Sequence, residues 1–82
     1  MCYYIYMLQS EADLSYYIGS TNNLEKRLHR HNLGFARYTA RKRPWRIVYT
    51  ETFETKKEAL IREKFLKRQR NRDFYQRLIS QK

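Results

Sequence analysis

Tyr3-Tyr4-Ile5-Tyr6-Met7-Leu8 and, past the polar break Gln9-Ser10-Glu11-Ala12-Asp13, Ser15-Tyr16-Tyr17-Ile18-Gly19 are the two runs whose pairing decides the fold. Both are aromatic or β-branched and alternate loosely, which suits half-buried strands, and the short polar break between them predicts a β-hairpin. A third run, Ile47-Val48-Tyr49-Thr50-Glu51-Thr52-Phe53, is the most β-prone in the chain and is expected to add a third strand to that hairpin.

The helix signals are local. In Asn22-Asn23-Leu24-Glu25 an Asn can cap a helix start, and the carboxylate three positions on can answer the cap's own N–H. Leu24 and Leu28 share one face, and Asn32-Leu33-Gly34 supplies a stop, so this helix is expected to run to about residue 33. Residues 35 to 46 read as a basic, partly aromatic loop: Arg37, Arg41, Lys42, Arg43 and Arg46 interleave with Phe35, Tyr38 and Trp45 and are broken by Pro44. Thr55-Lys56-Lys57-Glu58 is a capping box, with no Gly or Pro from there to residue 80. Asn71 and Asp73 can cap, which predicts a break near 71 and a short last helix carrying Phe74, Leu78 and Ile79. The order β-β-α-β-α(-α) predicts an α+β fold, a three-stranded antiparallel sheet flanked by helices. With 82 residues, two Gly and one Pro, the chain has no room for a flexible linker, so residues 1–82 are expected to form one domain.

Eighteen Lys and Arg stand against eight Asp and Glu, a net charge of +10, which points to a polyanionic partner. The charge is uneven. Up to residue 25 there are only Glu11, Asp13 and Glu25, so every basic residue lies in the later part of the chain. A membrane partner is disfavoured: no 18-residue apolar run exists, and the start lacks the basic and apolar segments of a signal peptide, so a cytoplasmic location is expected. The lone Cys2 leaves no internal disulfide, and Cys2, His29 and His31 do not make a structural zinc set.

On the second long helix Ala59, Leu60, Ile61, Phe65 and Leu66 define a wide apolar arc, and at roughly 100° per residue Glu63 falls within it, near Leu66. A carboxylate there is costly unless something compensates its charge. Either an i to i+4 bridge to Lys67 or a functional partner such as a metal can do so. On the first helix Arg27 and His31 stand four apart beside the Leu24/Leu28 stripe, either as solvated surface or as functional groups. Phosphodiester cleavage needs a proton acceptor for water, a cation against the phosphate and usually a hard metal; Tyr, Arg and one carboxylate can supply these.

Taken in order, Tyr4-Ile5-Tyr6, Tyr17-Ile18-Gly19 ten residues on, Arg27 within Ser20–Leu28, His31-Asn32-x-Gly34 and Glu63 within Glu58–Glu63 resemble the GIY-YIG nuclease superfamily over nearly the whole chain. The chain looks most like the small single-domain bacterial members. Multidomain relatives include the excision-repair incision subunit, homing endonucleases and junction-resolving nucleases. Tyr4 stands where the family's first motif has Gly, and Asn71 is the nearest candidate for the family's late Asn.

The resemblance implies a metal-dependent DNA endonuclease, structure-selective and linked to repair or recombination. By that resemblance Glu63 would be the one protein ligand of Mg²⁺ (or Mn²⁺), Tyr6 the general base, Tyr17 the residue that orients the nucleophile and Arg27 the phosphate-stabilising cation. His31 would support the phosphate or assist proton transfer. A Tyr base needs its phenol pKa lowered, with the metal and Arg27 as the agents. DNA, branched or distorted, is the expected substrate, with RNA as a further option. Arg37, Arg41, Lys42, Arg43 and Arg46, with Lys64, Lys67, Arg68, Arg70 and Arg72, are the candidates to hold its backbone. Tyr38 and Trp45 can stack on an unpaired base, although the plainer expectation is that both rings close the loop over the core. One site of this kind cuts one strand, and a monomer or weak dimer is expected. The alternative function is a nucleic-acid-binding module of the same fold with little or no cleavage.

Overall fold

The computed structural model describes residues 2–34 and 37–81. Strand β1 (Tyr3–Ser10) occupies the middle of an antiparallel sheet, with β2 (Tyr16–Thr21) on one side and β3 (Trp45–Phe53) on the other. A central strand covered on both faces buries consecutive residues, and Ile5, Tyr6, Met7 and Leu8 are all buried. Ile5 and Met7 join Ile18, Ala59, Leu66 and Tyr75 on one face of the sheet. Tyr6 and Leu8 join Trp45, Tyr17, Leu24 and Leu28 on the other. The loose alternation of the first run therefore reflects two cores, one on each face.

The third strand begins two residues earlier than the sequence predicts, at Trp45. It carries a bulge: Met7 pairs with Tyr49 but Leu8 pairs with Ile47. The unpaired Val48 can then join Tyr49 against one core while Ile47 packs against the other. The expected loop 35–46 holds a short helix, α2 (Arg37–Ala40), which no sequence period marks because one turn is too short to show one.

Helix α1 (Leu24–Leu33) is capped by Asn23, whose Oδ1 accepts the Lys26 N–H at 3.0 Å. The cap thus falls one residue beyond Asn22, and Glu25 sits in the first turn without the reciprocal role expected of it. Gly34, at φ +86°, ends the helix in a left-handed conformation and donates to the Arg30 and His31 carbonyls. Helix α3 (Lys56–Gln69) starts at Thr55, whose hydroxyl accepts the Glu58 N–H and donates to the Glu58 carboxylate. Helix α4 (Arg72–Ser80) starts at Asn71, as expected. The join between them is fixed by Tyr75, whose hydroxyl donates to the Leu66 carbonyl at 2.7 Å and accepts the Arg70 N–H at 3.2 Å.

The buried face of α3 is rotated from the apolar arc read in the sequence. Ala59 and Leu66 are fully buried, whereas Leu60, Ile61 and Phe65 are exposed. Between Ala59 and Leu66 the sheet-facing positions are Arg62 and Glu63, each with a partner across the sheet. Arg62 grips Glu51 of β3 through two hydrogen bonds of 2.9 Å, and Glu63 accepts from Ser20 of β2 at 2.7 Å. Ser20 and Glu51 both pair with Ile5 of β1, so α3 crosses the sheet along one row of three strands. Polar pairing, which hydropathy cannot register, therefore sets the helix's rotation.

Leu66→Ala is expected to lower the free energy of unfolding by about 2–5 kcal/mol, and Ile61→Ala by no more than about 0.5 kcal/mol, in urea denaturation. Comparable losses from the two would instead favour the arc read from hydropathy.

Candidate active site

Gly19 lies opposite Tyr6 in the β1–β2 register. A Cβ at Gly19 would stand 2.4 Å from the Tyr6 hydroxyl and 2.6 Å from the adjoining ring carbon. The phenol thus lies across the backbone of the edge strand, where any larger residue would displace it. There its Oη is 3.1 Å from His31 Nε2 and lies within the influence of the Arg27 guanidinium, which favours its ionised form. Tyr17 stacks edge-on against His31, with ring centroids 4.9 Å apart, and lies 6.3 Å from the Tyr6 ring. Two strands and one helix thereby bring Tyr6, Tyr17, Arg27 and His31 together.

His31 sits deeper than an edge position on α1 suggests: it is buried, and its Nδ1 is 3.0 Å from the Thr39 hydroxyl on α2. Burial pushes its pKa down, and the charges of Arg27 and Arg30 push the same way, so the imidazole is neutral at pH 7. Burial also pushes the Tyr6 phenol well above its ordinary range; Tyr17 and Glu63 add to this, and Arg27 opposes it. Arg27 acts in the direction expected for an activated Tyr, but desolvation outweighs it.

Glu63 comes from α3, which packs on the opposite face of the sheet, and lies beside edge strand β2. Its Oε1 accepts from Ser20 and its Oε2 pairs with Lys67 Nζ at 2.8 Å. The glutamate side chain is 16% exposed and the lysine 50%. An open groove of about 340 Å³ runs past this edge, lined by Tyr3, Ser20, Thr21, Asn22, Arg27, Lys56 and Ala59. Among the described residues no three His, Cys, Asp or Glu side chains cluster as a metal cage. A hard divalent ion that keeps most of its waters needs only one or two carboxylates, and Glu63 is a suitable donor of that kind.

Three of the basic candidates are engaged near the hairpin turn. Lys42 pairs with Asp13 at 3.2 Å, Arg46 donates to Gln9, and Arg72 donates to the Leu14 carbonyl and covers the Tyr16 ring, all near the hairpin turn. Arg43 donates through Nε to the Ala40 carbonyl. Lys64, Lys67 and Arg68 are exposed on α3, and Arg41 and Arg70 are exposed on connecting turns. The side chains of Arg37 and Tyr38, like all of Phe35, lie outside the described residues. Trp45 is buried, and its indole N–H donates to the Thr39 carbonyl at 2.8 Å, so it closes the core and offers no face to a base. The Asn71 side chain caps α4.

Residues 2–77 match the GIY-YIG catalytic domain. The chain belongs to the GIY-YIG family. Its small GIY-YIG relatives include a UPF0213 protein of Clostridium perfringens, 48% identical over 66 residues, covering 79% of this chain and 70% of that protein. Another, from Bacillus licheniformis, is 43% identical over 76 residues, 89% of this chain and 77% of its own. The solution NMR structure of a UPF0213 protein from Bacillus halodurans superposes with a TM-score of 0.62 at 35% identity, covering all of this chain and 86% of that one. The GIY-YIG assignment carries a nuclease-type function.

Three contributors to this GIY-YIG site were not singled out for it from the sequence. Ser20 follows Gly19 and so faces the other side of β2, a parity that the strand period could have revealed. Asn32 holds the Trp45 backbone from both sides, accepting its N–H at 2.7 Å and donating to its carbonyl at 3.2 Å. Thr39 has no signal in sequence at all.

Gly19→Ala is expected to displace the Tyr6 ring, lower stability by about 1–3 kcal/mol as overpacking does, and shift the Tyr6 ring resonances in NMR spectra of the folded protein. Unchanged Tyr6 shifts would show that the ring does not lie on Gly19.

Proposed function

We propose that this GIY-YIG domain is a metal-dependent DNA endonuclease that prefers branched or distorted DNA and serves repair or recombination. The observation that carries the reading is the Tyr6 phenol, laid across Gly19 with its oxygen 3.1 Å from His31 Nε2 and its ring beside Tyr17. Hydrolysis of a phosphodiester needs a proton acceptor, a cation and a metal-binding carboxylate at one point, and Tyr6, Arg27 and Glu63 are of those types.

In this reading Tyr6 takes a proton from the attacking water and passes its own to His31 Nε2. Tyr17 orients the water. Arg27 holds the phosphate oxygens as the water oxygen bonds to phosphorus and the bond to the leaving oxygen breaks. Glu63 would hold Mg²⁺ or Mn²⁺, with Ser20 fixing one carboxylate oxygen and Lys67 yielding the other. The Lys67 ammonium is half exposed, so solvent can take it up when it leaves the carboxylate. When bound, the metal supplies a Lewis acid for the phosphoryl oxygen and lowers the pKa of bound water. Lys64, Lys67 and Arg68 beside Glu63, with exposed Arg41, Arg43 and Arg70, would track the DNA backbone.

A second reading, a nucleic-acid-binding module with little cleavage, draws on two observations: Glu63 is already paired with Lys67, and burial holds Tyr6 protonated. The two readings separate in a cleavage assay on labelled linear, flapped and four-way DNAs and matched RNAs, with Mg²⁺ or Mn²⁺. The expected outcome is cutting of branched DNA that falls by about 10²–10⁴-fold in Tyr6→Phe, the usual loss for a general acid–base group, and that Arg27→Ala and Glu63→Gln also abolish. Binding should survive all three substitutions. It should also weaken with salt, with a log–log slope near −0.9 per neutralised duplex phosphate. Binding without cutting, or cutting that survives Glu63→Gln, would put the binding module first.

A further inference from the structure

The hydrogen-bond inventory around Tyr6 fixes more than the contacts themselves. The Tyr6 phenol has one proton to donate, and His31 Nε2, 3.1 Å from its oxygen, is an acceptor in reach of it. For Nε2 to accept, a neutral His31 must carry its proton on Nδ1, and that N–H points at the Thr39 hydroxyl oxygen, 3.0 Å away.

We propose that Thr39 is a positioning residue that sets the tautomer of His31: its hydroxyl oxygen takes the Nδ1–H and so keeps Nε2 bare toward the Tyr6 phenol. Thr39 is fully buried, so solvent offers no competing partner at this point. Its placement is braced twice. The Trp45 indole N–H holds the Thr39 carbonyl, and Asn32, the neighbour of His31, holds the Trp45 backbone. The ring and the hydroxyl that fixes it are therefore tied to the same residue of β3. With a valine in its place, the Nδ1–H would face a methyl group and lose its partner. The ring would then gain by moving the proton to Nε2, where it points at Tyr6 and closes the acceptor. The catalytic consequence rests on the nuclease reading, whereas the tautomer does not.

Nitrogen-15 NMR of the imidazoles in the full-length protein without DNA tests the assignment, with His31→Gln identifying the His31 signals against those of exposed His29. The parent is expected to show a protonated Nδ1 and a bare Nε2, the same pattern in Thr39→Ser, and a mixed or inverted pattern in Thr39→Val. In cleavage, Thr39→Val should lower kcat by about 10- to 100-fold, the range seen when a metal-bound histidine loses the partner that orients it, with KM little changed and Thr39→Ser restoring the rate. A parent spectrum with Nε2 protonated would overturn the proposal without recourse to any variant. So would a Thr39→Val spectrum identical to the parent's, or an active parent whose kcat is untouched by Thr39→Val. A parent with the expected tautomer but no cleavage would uphold the Thr39 assignment and bring down the nuclease reading instead.

Discussion

The missing side chain at Gly19 is the constraint on which the site's geometry depends. In a strand, neighbouring residues face opposite ways, so Tyr6 and Ile5 belong to different cores, and a residue facing Tyr6 is on the wrong side to meet α3. The phenol escapes this parity because the edge strand beneath it has no Cβ at the crossing point, and the ring runs out over the backbone toward the free edge. Glu63 lies on the other face, held by Ser20 of the same strand. Adjacent residues of β2, Gly19 and Ser20, thus act on opposite faces of the sheet, one by making room for Tyr6 and the other by donating a hydrogen bond to Glu63.

Helix α3 is set by a complementary device. Two charged residues, Arg62 and Glu63, lie in the middle of its inner face, and each is answered by a polar residue on an outer strand in the same row of the sheet. Buried polar groups without partners are costly, so the row selects one rotation of the helix more sharply than Ala59 and Leu66 alone would. The exposure of Leu60, Ile61 and Phe65 follows from that selection.

Much of the fold was legible because its signals are short-range. The three β-prone runs, the Thr55 and Asn71 caps and the Gly34 stop each act within a few residues, and the structure carries all of them. Glu63 could be singled out because a carboxylate in an apolar arc needs an explanation. What stayed hidden depends on contacts across the sheet or between elements. The rotation of α3 follows from Ser20 and Glu51, thirty or more and about ten residues away in the chain respectively. The burial of His31 follows from Thr39 and Trp45 closing over it, whereas the helical period placed it only at an edge. The desolvation that raises the Tyr6 phenol pKa was hidden too, since a nearby arginine is visible in sequence and burial is not.

That burial bears on how such a site can take a proton. The burial that holds Tyr6 rigid over Gly19 also raises the cost of a phenolate, so lowering the phenol's own pKa and fixing its position pull against each other. A hydrogen-bonded acceptor relieves the conflict: if His31 receives the phenol's proton as Tyr6 receives one from water, no free phenolate has to persist in the buried site. The requirement then shifts from the acidity of one group to the direction of a chain of hydrogen bonds running from Tyr6 through His31 to Thr39. Direction is a matter of which atom carries each proton, and a small domain can fix it with a buried threonine more readily than it can lower a phenol's pKa against desolvation.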